Sequence, residues 1–99
     1  MAVDINDEGG EATVAMIREQ GGEGVYVHAD VAHAADCERM IAAAEATFGK
    51  LDVLFNNAGS GALGQTPDIE PEQWLDLFDL DVHAVFYGCR AAIPQMRRT

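Results

Sequence analysis

The sequence predicts an α/β fold in which short strands alternate with amphipathic helices around a parallel sheet. Two observations carry this. Residues 25–29 and 51–55 are apolar runs of strand length, the first rich in β-branched and aromatic side chains. Around them, apolar residues recur three and four apart, the spacing that gathers side chains on one helix face. Apolar strands separated by helices form parallel sheets, because each return crosses over through a helix.

The elements follow in order. Met1-Ala2-Val3 runs into Asp4 like the end of a strand, and Asn6-Asp7-Glu8-Gly9 then reads as a turn or a helix start. A short amphipathic helix over residues 10–20 has Ala12, Thr13, Val14, Met16 and Ile17 on one broad face, and Gly21-Gly22 stops it. The strand at 25–29 ends at Asp30-Val31. A helix over 34–48 places Cys37, Met40, Ile41, Ala44 and Phe48 on one face, with Gly49 at its stop. The strand at 51–55 gives way to a loop containing Pro67. Pro71 then opens a long helix over 71–92, flanked by Glu70 and Glu72 at the positive end of the dipole. Trp74, Phe78, Val82, Val85, Phe86 and Cys89 form its apolar stripe. Pro94 is expected to end it, leaving Arg97 and Arg98 outside.

Ninety-nine residues make at most one domain, and a chain of this size hides only about 60–65% of its unfolded surface. Seventeen acidic against six basic residues give a formal charge of −11. Such a field repels phosphate backbones and anionic lipid, so neither nucleic acid nor membrane is expected as a partner. Cys37 and Cys89 fall within helices as buried thiols, form no spaced metal cluster, and suit a reducing compartment; a cytoplasmic protein is expected. His28, His33 and His83 read as surface or packing residues. Their spacing with Asp30 and Cys37 matches no metal site.

The stretch DVLFNNAGSGALG poses the functional question. Gly59-Ser60-Gly61-Ala62-Leu63-Gly64 spells G-x-G-x-x-G, the dinucleotide fingerprint. That motif needs a helix opening at the glycines and an acid at a strand end about twenty residues on. Here Gln65-Thr66-Pro67-Asp68 follows instead, and Asp79 and Asp81 fall inside the expected helix. The glycines read as open turn backbone. The asparagines leave two readings: a satisfied turn, or a cleft element whose amides tie loops together or hold a ribose without adding charge.

Taken together, these pieces resemble the short-chain dehydrogenase/reductase family over essentially the whole chain. Asn56-Asn57-Ala58-Gly59 is similar to the family's NNAG signature after its fourth strand, and Asp30-Val31 to the pair ending its third. "AVDIN" is similar to the end of the second strand, and "FGKLDVLFNNAG" and "VFYGCRAAIPQM" carry the family's wording. The resemblance implies a Rossmann-like, doubly wound parallel sheet. It is incomplete here: the first strand and the C-terminal half are missing, so residues 1–99 make a partial NAD(P)-binding domain. It also implies roles. Asp4 receives the adenosine ribose hydroxyls and disfavours a 2′-phosphate, so NAD is expected over NADP. Asp30 and Val31 contact adenine, and Asn57, Ala58 and Gly59 wall the ribose and pyrophosphate.

One position departs from the family. Its buried asparagine, which helps hold a water and the catalytic lysine, falls on Asp81, seven residues after Trp74. An ionised carboxylate cannot donate as an amide does, which puts that relay in doubt. The resemblance further implies that the glycine-rich loop precedes Met1 and that the catalytic serine, tyrosine and lysine follow Thr99. The only lysine, Lys50, lies four residues after Ala46, so no tyrosine–lysine pair four apart occurs within the chain. The expectation is an internal fragment of an NAD-dependent oxidoreductase interconverting a secondary alcohol and a ketone, inactive alone, whose parent is a homo-oligomer. The alternative is a non-catalytic nucleotide-binding or partner-binding piece. Without the family's first strand, the sheet must either close up in a new order or keep exposed edges.

Overall fold

The computed structural model describes residues 1–62 and 64–98. Leu63, within the literal glycine pattern, lies outside them. Strand β1 (Ala2–Asp4) pairs in parallel with β2 (Tyr26–His28), Ala2 opposite Tyr26 and Asp4 opposite His28. Helix α1 (Asp7–Glu19) is the crossover between them, so the stretch after Asn6 is a helix start. Its Asn6 side chain accepts the Gly9 N–H at 3.0 Å, satisfying one of the free donors of the first turn. Helix α2 (Ala34–Phe48) has the expected limits and closes at Gly49, whose φ of 81° suits glycine.

The core forms where α2 meets the end of the chain. Cys37, Met40 and Ile41 pack with Ala29 and Ala92, and Val3, Val27, Val31, Leu51, Leu54, Tyr87, Ala91 and Met96 surround them. The α/β class and the parallel, open sheet are as expected. The sheet holds two strands, because residues 51–55 do not join it. They form no regular element, and among the described residues 51–58 make no backbone–backbone hydrogen bond. Leu51 and Leu54 reach the core, while Val53 and Phe55 stay 77% and 82% exposed. A strand requires a ladder, and the free edge of β1 stands across a cavity from this segment. Of the two expected outcomes for the sheet, the exposed edge is the one found.

This openness is measurable. The accessible surface is 6926 Å², against about 5500 Å² for a compact monomer of this mass. The radius of gyration is 15.3 Å, where about 13 Å is usual for this length.

The last helix corrects two expectations. It runs as α3 (Pro71–Phe78), a π-helical turn (Asp79–His83) and α4 (Ala84–Arg97), passing through Pro94. Proline removes one backbone bond, but Ala92 and Met96 on either side of it are held against the α2 core. Arg97 therefore lies inside the helix and Arg98 caps it. Arg90 sits mid-helix and reaches Glu38 of α2 at 3.2 Å.

The buried face of this rod is also not the expected large apolar stripe. Ala84, Gly88 and Ala92 face inward, four apart, while Trp74, Phe78, Val82, Val85 and Phe86 are exposed. Small residues win because the neighbouring chain comes too close for anything larger. A Cβ on Gly88 would lie 2.7 Å from Asn56 Oδ1 and 3.4 Å from Leu54. Cys37 is fully buried as expected, but Cys89 is only half-buried.

Candidate active-site cleft

The carboxyl ends of β1, β2 and the 51–56 segment open on a single cavity of about 1060 Å³. In open parallel sheets this is the crevice where ligands bind. Its walls include Asp4, Asp30, Val31, Asn57, Ala58 and Gly59, so the six residues assigned to a cofactor lie around one space. The same space runs back between β1 and residues 51–55, floored by Met40, Ile41 and Ala44 of α2.

Each wall is fixed by local bonding. Asp4 ends β1, and its Oδ1 accepts the N–H groups of Ile5 at 2.8 Å and Asn6 at 3.1 Å. That sets the carboxylate by a turn of its own making. Asp30 follows β2; its N–H donates to Asp36 Oδ2 at 2.8 Å, and its Oδ1 accepts from Ala32 N–H at 3.0 Å. The Val31 carbonyl accepts the Cys37 thiol at 3.4 Å. The first turn of α2 therefore holds the Asp30-Val31 corner. The Asp30 bond lowers the Asp36 carboxyl below its ordinary value, while burial, then Asp36, raises the Cys37 thiol.

The asparagine loop is strapped to the long helix twice. Asn56 Nδ2 donates to Cys89 Sγ at 3.6 Å, and Asp81 Oδ1 accepts the Ser60 N–H at 2.8 Å. Asp81 belongs to the π-turn and does not line the cavity. Its carboxylate acts on the loop as an acceptor. A Cβ on Gly59 would stand 3.2 Å from Asp81 Oδ1, a tight fit that explains the small residue. Among the described residues no helix opens at these glycines, and the next helical element is a single 3₁₀ turn (Thr66–Asp68).

The donors and acceptors at this mouth suit a dinucleotide. The mouth offers a carboxylate held by its own turn, a backbone corner beside an apolar wall, and a stretch of small residues, the mix of polar and apolar groups that small-molecule sites use. Asp4, Asp30 and Asp52 give the rim a negative character, with Lys50 engaged by Asp52 at 3.2 Å.

The short chain dehydrogenase family model matches residues 1–99. The chain belongs to the short-chain dehydrogenase family. Over 95 residues it is 38% identical to a cyclopentanol dehydrogenase from a Comamonas strain, covering 96% of this chain and 38% of that protein. Over 98 residues it is 34% identical to a 3beta-hydroxysteroid dehydrogenase from Mediterraneibacter gnavus, covering 98% of this chain and 36% of that protein. A solved short-chain dehydrogenase/reductase from Burkholderia phymatum, in complex with NAD, superposes with a TM-score of 0.90 at 34% identity. The match covers 95% of this chain and 34% of that one. The chain thus spans a little over a third of the length of these relatives.

Among the described residues, no three histidine, cysteine or acidic side chains gather as a metal site. The histidines instead meet single carboxylates: His28 with Asp7, His33 with Asp30, His83 with Asp79. No helix among the described residues is long and apolar enough to cross a membrane. Sequence reasoning missed the supports behind the cleft: Tyr26, Asp7, Asp36, Gly88 and Cys89.

Proposed function

We propose that residues 1–99 form part of the NAD(P)-binding domain of a short-chain oxidoreductase that interconverts a secondary alcohol and a ketone. The observation that carries the reading is the convergence of Asp4, Asp30, Val31, Asn57, Ala58 and Gly59 on one cavity at the carboxyl ends of a parallel sheet. The relatives' names support it, being those of alcohol and hydroxysteroid dehydrogenases. When bound, a nicotinamide cofactor supplies the hydride acceptor or donor. Asp4 holds the adenosine ribose hydroxyls, Asp30 and Val31 bound the adenine, and residues 57–59 pass beside the ribose and pyrophosphate. The Asp4 carboxylate repels a 2′-phosphate, so the cofactor is NAD in preference to NADP.

Asp81 anchors the loop: its Oδ1 accepts the Ser60 N–H, and its side chain does not line the cavity. Residues 1–99 contain no tyrosine–lysine pair four apart, and hydride transfer needs a proton partner. The 99-residue chain alone is therefore inactive. The exposed face of α3 and α4, with Trp74, Phe78 and Phe86, suits contact with another copy in a homo-oligomeric parent.

Calorimetric titration of the chain with NAD, beside an Asp4→Ala variant, tests the binding role. Binding that weakens in the variant supports it; absence of heat at millimolar NAD rejects it. NADH formation from a panel of secondary alcohols by the 99-residue chain would overturn the assignment of its inactivity.

A further inference from the structure

Behind Asp4 stands a cross-link that joins three elements. The Tyr26 hydroxyl, from β2, reaches the Asp4 carbonyl oxygen at 2.9 Å and Asp7 Oδ1 at 2.7 Å, sharing its one hydrogen between them. His28, two residues along the same strand, meets the same Asp7 oxygen through Nδ1 at 2.7 Å. Asp7 lies in the first turn of α1. The end of β1, the start of α1 and the length of β2 are thus joined at one hydroxyl and one carboxylate. The tyrosine ring is seated over Gly10, where a Cβ would fall 2.0 Å from its Cε1. A phenylalanine would occupy that seat equally well. The Asp4 carbonyl also accepts the Ala29 N–H at 3.1 Å, and His28 also reaches Asp7, so the hydroxyl is the side-chain bond that joins both Asp4 and Asp7 to β2.

We propose that Tyr26 is a positioning residue: its hydroxyl fixes the turn carrying Asp4, so that the Asp4 carboxylate meets a cofactor ribose and rejects a 2′-phosphate. The inference rests on the cofactor reading above and adds a residue to it. Discrimination by charge requires the charge to stay where it is. A carboxylate free to swing can turn away from a phosphate, whereas Asp4 is held by two N–H groups of its own turn. That turn is in turn pinned by the Ala29 N–H and the Tyr26 hydroxyl, both on the Asp4 carbonyl, on one side and by the Asn6 cap of α1 on the other. Burial, and then the bond to Asp7, push the phenol up to about 12, so it remains a donor across the neutral range.

The test is titration of the full 99-residue chain, its Tyr26→Phe variant and its Asp4→Ala variant with NAD and with NADP. Loss of one hydrogen bond in Tyr26→Phe is expected to weaken NAD roughly three- to ten-fold and leave NADP nearly unchanged, narrowing the preference by that factor. Equal weakening of both cofactors marks a merely structural role and overturns the proposal. An unchanged Tyr26→Phe beside a weakened Asp4→Ala overturns the proposal and leaves the cofactor reading standing. An unchanged Asp4→Ala, or a parent chain that binds neither cofactor, overturns both. Amide exchange supplies a ligand-free measurement: Ile5 and Asn6 are expected to exchange faster in Tyr26→Phe, with Met40 and Ile41 unchanged. Unaltered exchange at Ile5 and Asn6 counts against the cross-link.

Discussion

Asp81 and Ser60 are joined across twenty-one residues by one bond, Oδ1 to backbone N–H at 2.8 Å, and this bond ties the asparagine loop to a π-turn. Asparagine at position 81 keeps an oxygen acceptor; alanine does not. Asp81→Asn is therefore expected to leave Ser60 amide exchange close to the parent value. Asp81→Ala is expected to raise it roughly five-fold, the worth of one modest hydrogen bond. Exchange measured by NMR at pH 7 decides between them, and equal behaviour of the two variants would remove the bond from the account.

Gly10 is specified by Tyr26, whose ring occupies the space a Cβ would need. Gly10→Ala is expected to lower stability by about 1–3 kcal/mol, since the added methyl must displace an aromatic ring. Gly61, with nothing within 4 Å of its Cβ direction and no positive φ, supplies the control. Gly61→Ala should be neutral within about 0.5 kcal/mol. Urea midpoints of both variants check the contrast.

Ile41 is 3% exposed and lies at the centre of the α2 cluster with Cys37 and Ala92. Ile41→Ala is expected to cost about 2–5 kcal/mol by cavity formation, a large share of the stability of so small a core. Cys37 reports the same core chemically. Its thiol is buried and raised, so a disulfide reagent should label the half-buried Cys89 first and reach Cys37 only as the chain unfolds. Labelling rates followed against urea concentration test this order.

Acid should destabilise the fold through two carboxylates. Hydrogen bonds from Tyr26, then His28, lower Asp7 below 3.8, and the Asp30 N–H lowers Asp36 likewise. A group that binds its proton less readily when folded contributes stability above its unfolded value and loses it as pH falls through the folded value. Stability should therefore hold from neutral pH to about 5 and fall below about 4. Urea midpoints between pH 7 and 3 measure the slope, which should be shallower in Asp36→Asn.

Much of the α/β order was legible because it rests on local patterns. Helix α2 could be read to its last residue from the spacing of Cys37, Met40, Ile41 and Ala44 and from the stop at Gly49. What escaped depended on neighbours. Residues 51–55 have strand composition, but only an adjacent strand makes a strand of them. The stripe from Trp74 to Phe86 has core periodicity, yet the inward face belongs to Ala84, Gly88 and Ala92, because Asn56 and Leu54 press on it. Pro94 should stop an isolated helix, but burial of Ala92 and Met96 carries this one past it. For the cleft, the family resemblance named Asp4, Asp30 and Asn57, and the structure shows that they line one cavity, while Tyr26 and Asp36 became visible only once distant turns met.

The open slot between β1 and residues 51–55 has a consequence for how copies of the chain treat one another. An unpaired edge flanked by Val53 and Phe55 is an adhesive surface, and strands from two molecules can complete it for each other. At neutral pH a charge of −11 on every copy opposes that encounter. Near pH 4.3, where the net charge vanishes, the repulsion goes before the Asp7 and Asp36 contacts weaken at still lower pH. The acidity that first appears as a bar to nucleic acid is thus also the chain's colloidal protection, and turbidity should rise steeply as solutions are brought to that pH.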